Sequence, residues 1–206
     1  MRRRRTNGGP RGQSMVEFAL LLPILLVLLL GVADFGRVFE AGIVTESAAR
    51  AGAEAAALEY LRTQEQRTAY PGPIADYYDD IHRVASEAAC EESRILPNAT
   101  FAGPPAVCAN WPAVVVCVHD GVDPACDSTP SPGFTAGPPE CTEMGAAWDT
   151  TQLEPGTPVN HTYVEVRVCY RFTTLFNLNL ALPFGAGLIL GDVYLQQTAA
   201  FTVADY

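Results

Sequence analysis

The side chains whose chemistry stands out are cysteines and carboxylates. Cys90, Cys108, Cys117, Cys126, Cys141 and Cys169 are the six cysteines, and none lies in the first 89 residues. An even number confined to one region reads as a disulfide framework where that region is exported. Zinc is the competing chemistry, since thiolates and imidazoles also build tetrahedral sites. No Cys-x-x-Cys occurs, and His82, His119 and His161 are scattered, so disulfides are the preferred reading. Asp76, Asp79 and Asp80 crowd together and raise the question of calcium. They fit no EF-hand loop, and a solvated acidic face at the start of a helix, favoured by the helix dipole, explains them. No metal and no cofactor is expected. The sequence has no G-x-S-x-G, H-E-x-x-H, P-loop or G-x-G-x-x-G string, so no catalytic residue is selected among its 23 acids. The expectation is a protein that is not an enzyme.

The elements that hold these groups follow from charge and hydropathy patterning. The chain has 206 residues, 49% hydrophobic and 17% charged, with formal net charge −10. That length suits one domain, or one domain plus an appendage. Residues 1–12 contain five arginines (Arg2, Arg3, Arg4, Arg5 and Arg11) and no acid, whereas the rest holds 8 basic and 23 acidic side chains. An acidic body excludes a nucleic-acid partner. Between Glu17 and Asp34 no residue is charged. A helix over 13–33 would reach about 31 Å, enough to cross a bilayer core of about 30 Å. Pro23 inside it is tolerable in a membrane helix. No later stretch repeats this run, because 174–195 is broken by Asn177, Asn179, Pro183, Gly185 and Gly187. One crossing is therefore expected. The arginine flank keeps the N-terminus in the cytoplasm, and the body lies outside it.

The helical pattern continues to about Arg67, with Glu46 and Arg50 in the favourable order four apart. Gly42, Ala49, Gly52, Ala53, Ala56 and Ala57 form either a close-packing surface or simply a good helix former repeated. Pro71-Gly72-Pro73 closes this helix and opens a second. There Pro73 suits the first turn, and Ile74, Tyr77, Tyr78, Ile81, Ala85 and Ala88 keep helical spacing. Ala113–His119 reads as a strand, residues 120–162 as a Pro/Gly-rich loop, Tyr163–Phe172 as a half-buried strand, and Val193–Val203 as a last strand. The fold class is α+β: a long N-terminal transmembrane helix continuing outside the membrane, then a small disulfide-bonded domain of a helix on a few antiparallel strands. The expected divisions are a basic cytoplasmic leader at 1–12, a transmembrane helix at 13–33, its extracytoplasmic continuation at 34–69, and an outer α+β domain at 70–206. Within that domain the expected disulfide is Cys126–Cys141, closing the loop. A cross-strand Cys117–Cys169 bridge is the next choice.

Residues 12–39, GQSMVEFALLLPILLVLLLGVADFGRVF, with Ala48-Ala49-Arg50-Ala51-Gly52-Ala53 beyond them, resemble the TadE-like family. These are pseudopilin-type components of bacterial tight-adherence (Tad/Flp) pilus assembly. The resemblance covers about residues 10–60 and is loose after that; the long Cys- and Pro-rich insertion departs from shorter members. It implies a prepilin peptidase cutting after Gly12, Gln13 as the new N-terminus, and Glu17 as an assembly residue. A carboxylate at the membrane edge is costly unless paired, and a neighbouring subunit's α-amino group would pair it. The implied partners are membrane lipid, the peptidase and other pilin-like subunits. Two alternatives remain: an unrelated single-pass anchored binding protein, and a secreted protein with a signal peptide cut after Gly31-Val32-Ala33.

Overall fold

A computed structural model describes residues 13–67, 74–102, 107–109, 111–120, 126, 140–144, 146, 148, 162–174, 179–181, 187–189 and 191–203. Helix α1 covers Gln13–Arg67 and α2 covers Ile74–Glu92, followed by a 3-10 turn at Ser93–Ile95. The strands are β1 (Phe101–Ala102), β2 (Val107–Cys108), β3 (Ala113–His119), β4 (Tyr163–Thr173), β5 (Asn179–Ala181), β6 (Gly187–Ile189) and β7 (Asp192–Thr202). The second helix, β3, β4 and the last strand thus form close to where their periodicity put them. Pro71-Gly72-Pro73 lies outside the described residues. The chain divides into two compact units, Met1–Phe39 and Glu40–Tyr206.

The second unit is an antiparallel sheet in the order β3-β4-β7, with two short hairpins, β1-β2 and β5-β6. Register aligns Val114 with Val168, Val116 with Val166 and Val118 with Val164. These valines make one apolar face, and the β-branched side chains suit a packed pleat. Against them lie Ala48, Ala49, Ala53, Ala56, Ala57 and Tyr60 of α1 and Tyr77, Tyr78, Ile81, Ala85 and Ala89 of α2. Ala88, which the spacing also pointed inward, is only partly covered; Ala89 takes the core position. The small residues of α1 are therefore a packing surface within the chain. A Cβ built on Gly52 would stand 3.1 Å from the Ala85 carbonyl oxygen and 3.3 Å from both Ala89 Cβ and Val166 Cγ1, so glycine sets how near the helices approach. Gly42 is the exception, with open space where a Cβ would go.

The sheet's other face corrects the half-buried reading of β4. Arg167 is only 9% exposed and Cys169 fully buried. The reason is a segment of the Pro/Gly-rich loop laid across them. Arg167 Nη1 donates to the carbonyls of Glu143 and Ala146, each at 2.9 Å, and its guanidinium stacks 3.7 Å from the Trp148 ring centre. Glu143 N donates to Gln196 Oε1 at 2.8 Å.

Candidate functional site

The first unit supplies one candidate surface. Residues 18–33 of α1 are apolar and uncharged. The chain has a helix long and apolar enough to cross a membrane, and none of its most apolar stretch is buried. Leu20, Leu29 and Val32 are 69%, 66% and 71% exposed. An apolar surface of this extent is unfavourable in water and suits lipid or other apolar helices. Pro23 lies within the helix without ending it. The run closes at Asp34, whose Oδ1 is 3.1 Å from Arg37 Nη1. This internal pair neutralises the first charges past the apolar stretch.

Of the residues proposed for processing and assembly, Gly12 lies outside the described residues. Gln13 is the first residue of α1. Glu17 stands one turn into the helix, exposed, just before Phe18 opens the apolar run. The helix thus sets Glu17 at the N-terminal border of its uncharged apolar run.

The six cysteines form three disulfides, Cys90–Cys108, Cys117–Cys126 and Cys141–Cys169. Neither expected pairing occurs. Cys169 is opposite Ala113 in the β3–β4 register, whereas Cys117 is opposite Glu165. Four residues of strand, about 13 Å at strand rise, separate the two positions, so no bridge can form between them. Cys126 instead pairs with Cys117 at the outer edge of β3. Cys141 fastens the loop segment over β4. The Pro/Gly-rich loop is thus tied to the sheet at two points and not closed on itself.

Two buried polar clusters were not foreseen. Asp120, at the end of β3, accepts hydrogen bonds from Tyr78 at 2.5 Å and Tyr60 at 3.4 Å, joining both helices to the sheet. On the opposite face Glu165 accepts from Arg167 Nε at 2.8 Å. His119 Nε2 stands 3.3 Å from the other Glu165 oxygen without hydrogen-bond alignment, its ring stacked on Tyr163 at 4.0 Å. Burial pushes the Glu165 carboxyl up, but neighbouring His119 and Arg167 outweigh it and hold the group below its ordinary value. The alternation of β4 hid this cluster, because polar residues at alternate positions read as solvent-facing. Asp76, Asp79 and Asp80 are exposed, and Asp80 faces Arg83 at 3.4 Å. Among the described residues no three His, Cys, Asp or Glu side chains gather as a metal site.

No curated protein and no solved structure matches the chain. Residues 12–54, the segment holding the Glu17 boundary, the uncovered apolar run and the first buried turns of α1, match the model of the family described as TadE-like protein.

Proposed function

We propose that the chain is a membrane-anchored, pseudopilin-like subunit or assembly factor of a bacterial tight-adherence pilus, with a structural and not a catalytic role. The observation that carries this reading is the coincidence of the TadE-like match at 12–54 with a helix whose apolar window is entirely uncovered. The apolar run sits in the cytoplasmic membrane once, N-terminus inside, and the disulfide-bonded unit lies outside. A prepilin peptidase cuts after Gly12. Cutting removes all five leader arginines and leaves an α-ammonium on Gln13, one helical turn from Glu17. Lateral contact between pilin-like helices then pairs the Glu17 carboxylate with a neighbour's amine, which offsets the cost of a carboxylate at the membrane edge. The unbroken passage of α1 through Gly31-Val32-Ala33 favours an anchor that is retained over a signal peptide removed there.

The experiment is the mature N-terminus of the membrane-extracted protein together with a Glu17→Gln variant. The expected results are Gln13 as first residue, and normal insertion of the variant with impaired pilus assembly. An uncut chain whose Glu17→Gln form assembles normally points to a plain anchor, and Asp34 as first residue points to a secreted protein.

A further inference from the structure

β7 ends the β3-β4-β7 sheet with its outer edge open among the described residues. The opposite edge, β3, is covered where Cys126 pairs beside Cys117. β7 pairs with β4 over 11 residues in unbroken register, Tyr163 with Thr202 through Thr173 with Asp192, so no bulge twists the edge away. Its sequence, DVYLQQTAAFT, has no proline and only Asp192 charged. Soluble proteins blunt open edges with charge, proline, bulges or cover; between Val193 and Thr202 there is no charge and no proline, and among the described residues no further strand pairs with this edge. No residue of β7 is buried, whereas every residue of β3 is.

The direction of the free backbone groups follows from one hydrogen bond. Val203 N donates to Thr162 O at 2.8 Å, which continues the β4–β7 register by one pair. Hydrogen-bonded pairs alternate along an antiparallel ladder. Val193, Leu195, Gln197, Ala199 and Phe201 therefore turn their N–H and C=O toward β4. Tyr194, Gln196, Thr198 and Ala200 turn theirs outward. Beside this edge runs a groove of about 520 Å³ between β7 and α1, lined by Glu46, Arg50 and Glu54 on the helix and Gln197, Ala199 and Phe201 on the strand. Arg50 is engaged by Glu46, and Glu54 has no cationic partner among the described residues. The groove offers two carboxylates for one guanidinium, on a body with 8 basic and 23 acidic side chains.

We propose that the outer edge of β7 is a docking site for an extended strand from a different protein chain, with basic side chains on the face turned toward α1. The strand's backbone takes the outward amides and carbonyls, and its alternate side chains enter the groove over Ala199 and Phe201, the arrangement of strand addition to a sheet edge. A second copy is a poor occupant, because two such edges would bring two acidic grooves and two acidic bodies together. This inference stands independently of the pilus reading.

The test uses the full chain in detergent micelles and two synthetic peptides of about eleven residues. In both, Val and Thr alternate with a charged residue, arginine in one and glutamate in the other. Residue-resolved amide exchange is the readout. The arginine peptide is expected to slow Tyr194, Gln196, Thr198 and Ala200 by about tenfold or more, equivalent to about 1.4 kcal/mol, with Leu195, Gln197 and Ala199 unchanged. The glutamate peptide is expected to leave all of these unchanged. Thr198→Pro removes only an outward N–H, as edge prolines do; it should keep the melting temperature and abolish the protection. Glu54→Gln should weaken it severalfold. The proposal is overturned if the arginine peptide gives no slowing, if both peptides slow the amides equally, or if protection survives Thr198→Pro. Slowing without peptide that grows with protein concentration assigns the edge to a second copy and also overturns it.

Discussion

Gly42 and Gly52 lie on the same helix and respond in opposite ways to an added methyl group. Alanine in a helix interior is worth about 0.5–1 kcal/mol over glycine. At Gly42 nothing lies within 4 Å of the new Cβ, so the gain is kept and Gly42→Ala should raise the melting temperature. At Gly52 the Cβ meets the Ala85 carbonyl oxygen at 3.1 Å. Backbone cannot swing aside, and overpacking of this kind costs roughly 1–3 kcal/mol. Gly52→Ala should therefore lower the melting temperature, and Gly52→Val should lower it further. Equal shifts for the two alanine variants would mean that α1 does not press on α2 there. Glu165 carries a second prediction. Its carboxyl is held below the ordinary value of 4.5, so its ionised form stabilises the fold above that pH. The contribution fades as pH falls through the folded-state value. Glu165→Gln should be less stable than wild type near neutral pH, with the gap narrowing below about pH 4.5. Urea melts of both proteins at neutral and acid pH measure it; a constant gap would remove Glu165 from the linkage.

At the level of elements, periodicity carried most of what could be read in advance. Val164, Val166 and Val168 mark β4 because every second side chain meets the same helices. Tyr77, Tyr78, Ile81 and Ala85 mark α2 because one helical stripe enters the core. The burial of Arg167 and Cys169 was not legible, because it depends on a loop segment crossing from elsewhere. Disulfide pairing failed for a related reason. It is decided by register, and register places Cys169 opposite Ala113 and Cys117 opposite Glu165, a relation no spacing along the chain contains. That Glu17 borders the uncharged run was legible, because both sides of that border lie in one continuous string. Peptide mapping of the non-reduced protein should recover Cys141–Cys169. Its sequence separation of 28 corresponds to roughly 3–4 kcal/mol on the chain-entropy account. Replacing both residues with serine should lower stability by that order and raise protease cutting between 140 and 148. Unchanged cutting would show that Arg167 and Gln196 hold the segment without the bridge.

For the whole molecule the decisive quantity is how charge divides along the chain. Five arginines and no acid precede the apolar run, and 8 basic against 23 acidic residues make up the rest. Positive flanks stay on the cytoplasmic side of a membrane, and an acidic body meets no such retention. The disulfides provide an internal reporter of the outcome, because thiols persist in a reducing cytoplasm and bridges persist outside it. Replacing Arg2, Arg3, Arg4, Arg5 and Arg11 with serine leaves the sequence of the apolar helix unaltered and removes only the charge before it. Wild-type protein alkylated in intact cells should show no free thiol after denaturation. The arginine-free form should contain a fraction with all six cysteines alkylated, and that fraction should be shielded from protease applied to the outer face. Thiol state and protection must move together, because both report which side of the membrane the second unit occupies. If the variant is as fully oxidised as wild type, the leader arginines do not orient the chain, and Asp34 and the acidic residues beyond it become the groups to substitute next.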